Sequence, residues 1–248
     1  MVGKTRLFWI LLLLSVIVFA VIMPDSCTFG VHAFDIRMPK GYNLHGIDVS
    51  HYQGNLDWTQ IENATGGKKN EIKISFAFIK ATEGRSITDR MFKENWDKIE
   101  KTNLIRGAYH YFIPTRSATE QAQNFIANVK LKKGDLPPVL DVEVVGRYGS
   151  AKLKENMKIW LDIVEKHYGM KPIIYSYMDF YEMYLGNDSD FKQYPLWIAH
   201  YYKKKVKFKR SWIFWQHNDK GIIPGIDKPM DFNVFNGDLD KLKALCKQ

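Results

Sequence analysis

Short apolar runs alternate with longer amphipathic stretches along most of this chain. Eight runs are rich in β-branched and aromatic residues and are bounded by polar or glycine positions, as buried strands are. They cover residues 44–49, 74–79, 105–112, 138–142, 172–177, 196–199, 211–215 and, more weakly, 230–234. Predicted helices, with apolar residues at the helical period, cover residues 90–101, 118–129 and 153–168.

The order of these elements predicts an α/β fold built on a parallel sheet with helical crossovers. Eight candidate strands within residues 42–248 indicate a single compact (β/α) barrel of the TIM-like type. Because the last connections are too short for full helices, we expect some helices near the C-terminal end to be short or missing. No repeat or low-complexity linker divides residues 42–248, which we therefore interpret as one domain.

The amino-terminal residues predict export. Lys4 and Arg6 precede an apolar run over residues 7–23, which is the layout of a secretory signal peptide or an N-terminal membrane anchor. Positive charge before this run predicts that the rest of the chain lies outside the cytoplasm, either secreted or periplasmic, or tethered to the membrane. Residues 31–33 offer a candidate signal-peptidase site. We interpret residues 1–34 as signal peptide or anchor plus a short linker.

Charge narrows the choice of partners. The chain of 248 residues carries a formal net charge of +9, and many of its lysines lie within residues 203–210. A basic exported protein suits an anionic surface such as a cell wall or lipid headgroups. No nucleic-acid-binding motif is present, so we expect no nucleic-acid partner. We expect the protein to act as a monomer.

Cysteine and histidine give no sign of a metal or cofactor. The two cysteines, Cys27 and Cys246, are too few for a disulfide framework or a metal cluster. A bridge between them, lipidation of Cys27 and two free thiols are all compatible with the sequence. The seven histidines show no H-E-x-x-H spacing. We therefore predict neither metal nor cofactor.

Two carboxylates follow the proline-led run at 138–142. Asp141 and Glu143 are separated by one residue, and side chains at i and i+2 of a strand share a face. Carboxylates held this close keep their proton affinities apart, one ionised and one protonated. That division is what acid-catalysed bond cleavage at neutral pH requires.

Further polar residues fall near the ends of other predicted strands. Asp48 closes the first run, and Asp231 opens the weak eighth. In barrels of this type the chemistry gathers at the carboxyl ends of the strands. Taken singly, such residues have structural explanations: Lys80 and Glu83 suit an ion pair, and a histidine such as His110 suits the core. Their joint placement among tyrosines and tryptophans predicts a carbohydrate-binding cleft.

At this point the sequence resembles a known family. The resemblance lies in GIDVSHYQG at 46–54, FIKATEG at 78–84, RGAYHYF at 106–112 and LDVE at 140–143. Together with the later segments, these blocks resemble, in the same order, the family-25 glycoside hydrolases, which are lysozymes of the Chalaropsis type. The resemblance spans roughly residues 44–236.

The resemblance implies hydrolysis of the β-1,4 bond between N-acetylmuramic acid and N-acetylglucosamine in peptidoglycan glycan strands. It implies Glu143 as general acid and Asp141 as its ionised neighbour, with net retention of configuration. Asp141 would either orient the substrate's acetamido group as nucleophile or stabilise positive charge at the anomeric carbon. Asp48 and Asp231 would support the pair. Candidate sugar contacts are Tyr109, Tyr111, Tyr175, Tyr177, Tyr201, Trp215 and Gln216.

Two other functions fit the same pattern. One is a catalytically silent barrel that binds peptidoglycan or another glycan. The other is a chitinase-like endo-N-acetylglucosaminidase, although such enzymes normally show a longer acidic run on the fourth strand than Asp141 and Glu143 provide.

Overall fold

The computed structural model describes residues 31–69, 71–186 and 188–248. The strands are β1 His32–Ala33, β2 Ile36–Arg37, β3 Leu44–Val49, β4 Thr65–Gly66, β5 Ile72–Glu83, β6 Ile87–Thr88, β7 Ile105–Tyr111, β8 Val139–Asp141, β9 Ile173–Tyr177, β10 Leu196–Ala199, β11 Phe214–Gly221 and β12 Met230–Phe235. The helices are α1 Trp58–Asn63, α2 Phe92–Ile99, α3 Ala118–Asn128, α4 Gly149–Tyr168, α5 Met178–Tyr184, α6 Ser189–Lys192 and α7 Leu239–Leu245.

Strands β3, β5, β7, β8, β9, β10, β11 and β12 close into a barrel in that order. All neighbouring pairs from β3 to β11 are parallel, which confirms the predicted α/β barrel. The last strand departs from that pattern, since β12 is antiparallel to both β11 and β3. Its connection to β11, residues 222–229, is shorter than the dozen or so residues that a parallel crossover needs.

The seventh predicted run differs most from its strand. Residues 211–215 overlap β11 only at its first two positions, because β11 begins at Phe214 and continues to Gly221. The polar residues after Trp215 stay in the strand since their backbone pairs with β12. Polar side chains can occupy this strand because Gln216 faces other polar groups inside the barrel, where its amide donates to Asp48 at 2.8 Å.

Aromatic rings fill the barrel lumen. The ring of Phe78 stacks on that of Trp197 with centroids 4.5 Å apart, and Phe214 lies edge-on to Phe78 at 5.1 Å. Gly46 makes room for this cluster, since a Cβ there would lie 2.3 Å from the ring of Phe76. The lumen is therefore a packed core and forms the floor beneath whatever binds at the carboxyl end of the strands.

Helices cover one side of the barrel. α3 begins where its pattern predicts, because the Ser117 hydroxyl accepts the amide of Glu120 as an N-cap. The predicted apolar face of α4 is confirmed by the complete burial of Trp160 and Val164. α4 also begins four residues earlier than 153, at Gly149.

A hairpin takes the place of a helix over β11, β12 and β3. It consists of β1 and β2, and the Phe34 ring at its turn packs on Phe232 of β12 at 5.2 Å. Ala33 and Ile36 are buried as well. The folded unit therefore begins before residue 42, and the candidate cleavage site at 31–33 lies within a packed segment and not in a linker.

Several expectations concern residues that the structure does not describe. The apolar run 7–23 and Cys27 lie outside the described residues. Within residues 31–69, 71–186 and 188–248, no helix is both long and apolar enough to cross a membrane. Cys246 is a buried free thiol in the lumen core, where burial raises its pKa to about 11.

Candidate active site

Four carboxylates meet at one end of the barrel. Asp48 lies near the carboxyl end of β3, Asp141 ends β8 and Glu143 lies two residues beyond it. Asp231 is the second residue of β12, and its Cα pairs in register with that of Asp48. Because β12 is antiparallel, its first residues lie at the edge where the parallel strands end.

These side chains line one cleft of about 240 Å³. The residues that line it are Asp48, Val49, Ser50, Tyr52, Gln53, Lys80, Tyr109, Tyr111, Asp141, Glu143, Tyr175, Tyr177, Trp197, Tyr201, Gln216 and Asp231. The structure thus brings together all four predicted acids and every predicted sugar contact except Trp215.

Asp141 is buried at the base of the cleft. Its side chain is almost inaccessible to solvent, and its Oδ1 atom has no hydrogen-bond partner. Burial raises the pKa of Asp141 well above its ordinary value, the Glu143 charge raises it further, and the Lys80 charge opposes both. A buried carboxylate oxygen without a partner is costly, and native structures usually supply one.

Glu143 is half-buried and more accessible than Asp141. Its backbone position is fixed by hydrogen bonds of the preceding residue: the Val142 amide donates to the Tyr175 carbonyl at 3.0 Å, and the Ser176 hydroxyl donates to the Val142 carbonyl at 2.7 Å. Burial raises the pKa of Glu143, while the Lys80 charge and the nearby Tyr175 hydroxyl oppose that rise. A raised pKa is the property that a general acid needs near neutral pH.

Two amide side chains clamp Asp48. Its Oδ2 atom accepts from Gln216 Nε2 at 2.8 Å and from Asn233 Nδ2 at 2.7 Å. The hydroxyls of Tyr175 and Tyr201 both donate to Gln216 Oε1 at 2.7 Å, which fixes the orientation of that amide. Burial and the nearby acids raise the pKa of Asp48, and the two amide bonds work in the opposite direction.

Asp231 is half-buried across the cleft. Burial, followed by the charges of Asp219 and Glu143, raises the pKa of Asp231 to about 7. The carboxyl therefore changes its protonation state within the pH range in which most enzymes work.

Lys80 contributes a positive charge to the lining of the cleft. Its Nζ atom lies 2.7 Å from Glu83 Oε2, which confirms the predicted ion pair, and 5.0 Å from the centroid of the Tyr111 ring. Its side chain is only 12% exposed, so its charge is poorly screened. The Lys80 charge therefore limits the rise in the pKa of both Asp141 and Glu143, a role that the ion-pair interpretation did not include.

Trp215 is absent from the cleft. Since Gln216 faces the lumen, its neighbour in the strand faces outward, where Trp215 is fully buried and donates from Nε1 to the His200 carbonyl at 2.9 Å. The prediction of Trp215 as a sugar contact is wrong for this reason. Trp197 on β10 lines the cleft instead and donates to Asn233 Oδ1 at 2.8 Å.

His110 is a core residue. It is completely buried, and its ring nitrogens lie 2.7 Å from Thr82 Oγ1 and 3.2 Å from Gln121 Oε1. Its ring stacks on Trp160 in the layer between barrel and helices. Sequence reasoning missed Asn233 and Tyr52, and only the alternation of Asp231 and Asn233 along β12 signalled that Asn233 shares the inward face.

Within the described part of the chain, no group of three or more histidine, cysteine, aspartate or glutamate side chains could hold a metal ion.

Comparison with known proteins gives one consistent family. The profile of Glycosyl hydrolases family 25 matches residues 47–226. The chain is 45% identical over 215 residues to the uncharacterized protein YegX of Escherichia coli K12, covering 86% of this chain and 77% of YegX. It is 31% identical over 217 residues to Lysozyme M1 of Streptomyces globisporus, covering 82% and 71% of the two chains.

A solved structure shows the same fold. The family 25 glycosyl hydrolase from Bacillus anthracis superposes with a TM-score of 0.73 and 34% identity, over 84% of this chain and 95% of that chain. The sequence match, the closed barrel and the cleft that joins its four acids agree, and the chain belongs to glycosyl hydrolases family 25.

Proposed function

We propose that the protein is an N-acetylmuramidase, which hydrolyses the β-1,4 bond between N-acetylmuramic acid and N-acetylglucosamine in peptidoglycan. The observation that carries the proposal is the meeting of Asp141 and Glu143 with Asp48 and Asp231 in one cleft. Membership of a glycoside hydrolase family and the likeness to Lysozyme M1 support the substrate.

In this proposal Glu143 is the general acid. Its carboxyl proton passes to the glycosidic oxygen as the bond from that oxygen to the anomeric carbon breaks. The raised pKa of Glu143 supports this role, because more of the carboxyl then holds its proton at neutral pH. The resulting carboxylate later takes a proton from the attacking water.

Asp141 is assigned the role of binding and orienting the substrate's acetamido group. Its buried Oδ1 atom lacks a partner, and an acetamide N–H would supply one. Held in this way, the acetamido carbonyl oxygen attacks the anomeric carbon and forms a cyclic oxazolinium ion, which water then opens. Two successive inversions give net retention. Direct stabilisation of positive charge at the anomeric carbon by Asp141 is the alternative role.

The reaction is tested by dye release from labelled peptidoglycan beside labelled chitin. We expect release from peptidoglycan, with new reducing ends on N-acetylmuramic acid and a product first formed as the β anomer. Release from chitin alone would favour the chitinase-like function, and tight binding without release would favour the silent barrel.

We further propose that the protein is exported and works as a monomer, either released or held by residues 7–23. The charge pattern around that run supports export. Fractionation of cells, carbonate extraction and the mass of the mature chain distinguish a cleaved from a retained segment. A chain found only in the cytoplasm would refute export, and sedimentation of a dimer would refute the monomer.

A further inference from the structure

A strip of lysines begins at the rim of the cleft. It consists of Lys203, Lys204, Lys205, Lys207 and Lys209, in the loop between β10 and β11, and is called the basic strip below. Tyr201 lines the cleft, and the next residue, Tyr202, turns the chain outward with a φ of +57°. The Tyr202 amide donates to the His217 carbonyl at 3.0 Å, which fixes this unusual turn.

Beyond the turn, the chain alternates between packed and exposed residues. Val206 and Phe208 are half-buried and pack on the outer core, and the Phe208 ring lies 5.8 Å from that of Tyr181. Lys205, Lys207 and Lys209 are exposed. Alternate side chains of an extended segment point the same way and are about 6.5–7 Å apart.

Arg210 anchors the end of this segment. Its guanidinium donates to the Tyr181 hydroxyl, to the Tyr194 carbonyl, and to the Phe191 carbonyl at 3.0 Å. Arg210 therefore makes its hydrogen bonds within the protein, whereas the lysine side chains are exposed to solvent. The segment is held as a fixed surface, so a partner that binds the lysines does not have to order a mobile loop.

Three lysines of the basic strip carry charges that no carboxylate of the described residues neutralises. Elsewhere, Lys93 and Lys158 each approach a carboxylate to 2.7 Å. Among the described residues, none of Lys205, Lys207 and Lys209 forms such an ion pair. Three outward-facing cations therefore present a positive field along the outer surface of the barrel, on the segment that leads from the cleft rim toward the amino end of β10.

We propose that the basic strip binds carboxylates on the peptide stems of peptidoglycan outside the cleft, an inference that rests on the proposed function. A glycan strand extends beyond a cleft of about 240 Å³, and its stems carry carboxylate groups where it leaves the rim. A lipid surface fits less well. Membrane-binding segments direct apolar side chains into the bilayer, and here Val206 and Phe208 point into the protein.

The test compares two triple variants of equal charge in a Glu143→Gln background, in which the glycan stays intact. One carries Lys205→Gln, Lys207→Gln and Lys209→Gln. The control carries Lys101→Gln, Lys133→Gln and Lys243→Gln, which are exposed lysines at the opposite end of the barrel. Binding is measured by sedimentation with isolated peptidoglycan over a range of salt concentrations.

At low salt, the strip variant should bind about tenfold more weakly than the control, since each exposed charge contributes modestly. This difference in binding should vanish toward 1 M salt, where screening limits electrostatic attraction to about 3 Å. It should also vanish on glycan whose peptide stems have been removed by an amidase. Equal binding of the two variants, or an equal loss on stem-free glycan, would overturn the proposal.

Further measurements distinguish this proposal from the muramidase proposal on which it rests. With Glu143 restored, the strip variant should cleave a short soluble glycan as fast as the control does. A weakening seen only with anionic phospholipid vesicles, and not with peptidoglycan, would assign the strip to a membrane and refute the proposal. If the parent protein cleaves no peptidoglycan but the strip variant still loses binding to it, the muramidase proposal fails while the basic strip stands.

Discussion

The two amide hydrogen bonds to Asp48 lead to a specific prediction about Gln216. This buried amide donates from Nε2 to Asp48 at 2.8 Å while its Oε1 atom accepts from Tyr175 and Tyr201. Gln216→Glu keeps the size of the side chain and the acceptor for both tyrosines, but it replaces the donor with a carboxyl. When protonated, that carboxyl can still donate to Asp48, and when ionised it sets two buried negative charges against each other.

The effect on stability follows from the pKa of the introduced carboxyl. Burial and the neighbouring charge should raise its folded-state pKa by about 3 units above the unfolded value of about 4.3. Because the unfolded chain then binds fewer protons, the free energy of unfolding falls as the pH rises through the folded pKa. Each unit is about 1.4 kcal/mol, and because the unfolded carboxyl is already partly ionised at pH 4.5, the variant should lose about 3 kcal/mol between pH 4.5 and pH 8 relative to wild type.

Urea denaturation of both proteins at the two pH values measures this difference. The control is Gln193→Glu, since Gln193 is exposed and accepts from Lys171 Nζ at 2.9 Å. A carboxylate beside that lysine should leave the pH dependence of stability close to that of wild type. If the two variants showed the same slope, Gln216 would not be the buried donor to Asp48.

Other features of the structure can be tested as directly. Trp215→Phe should leave peptidoglycan cleavage per folded molecule near that of wild type. Trp197→Phe removes an indole donor from the floor of the cleft and should reduce cleavage. If dye release showed the reverse order, the placement of the two tryptophans would be contradicted. Phe34→Ala should lower the free energy of unfolding by about 3 kcal/mol without changing the Michaelis constant, and an unchanged urea midpoint would show that the hairpin does not support the barrel. Because the pKa of Asp231 is about 7, the pH–rate profile should have an inflection there that Asp231→Asn removes, and a persistent inflection would belong to another group.

The sequence predicted the barrel because its signals are local. Apolar runs and helical periods marked the strands and the long helices, and the acids stood near the ends of those runs. The direction of β12 could not be predicted in the same way, since it depends on how the barrel closes and on the length of residues 222–229. That direction is also what places Asp231 beside Asp48.

The sequence predicts less well which side chains of a strand point into the barrel and which point outward. The apolar run ends at Trp215, whereas β11 continues through polar residues to Gly221, so the sequence pattern does not assign the inward and outward faces of this strand. The hairpin of β1 and β2 was not predicted from the sequence for a different reason. Phe34 and Asp35 both adopt positive φ, but this pair lacks the glycine that normally follows asparagine or aspartate in such turns.

The most direct test of the proposed mechanism is the activity of Glu143→Gln on labelled peptidoglycan. Glutamine cannot deliver the proton, so the rate should fall by about 10²–10⁴-fold, while the unfolding midpoint stays near wild type. Glu155→Gln, a change at an exposed position of α4, is the matched control and should keep full activity. A Glu143→Gln protein that is folded and cleaves peptidoglycan within about tenfold of wild type would contradict the assignment of Glu143 as the general acid.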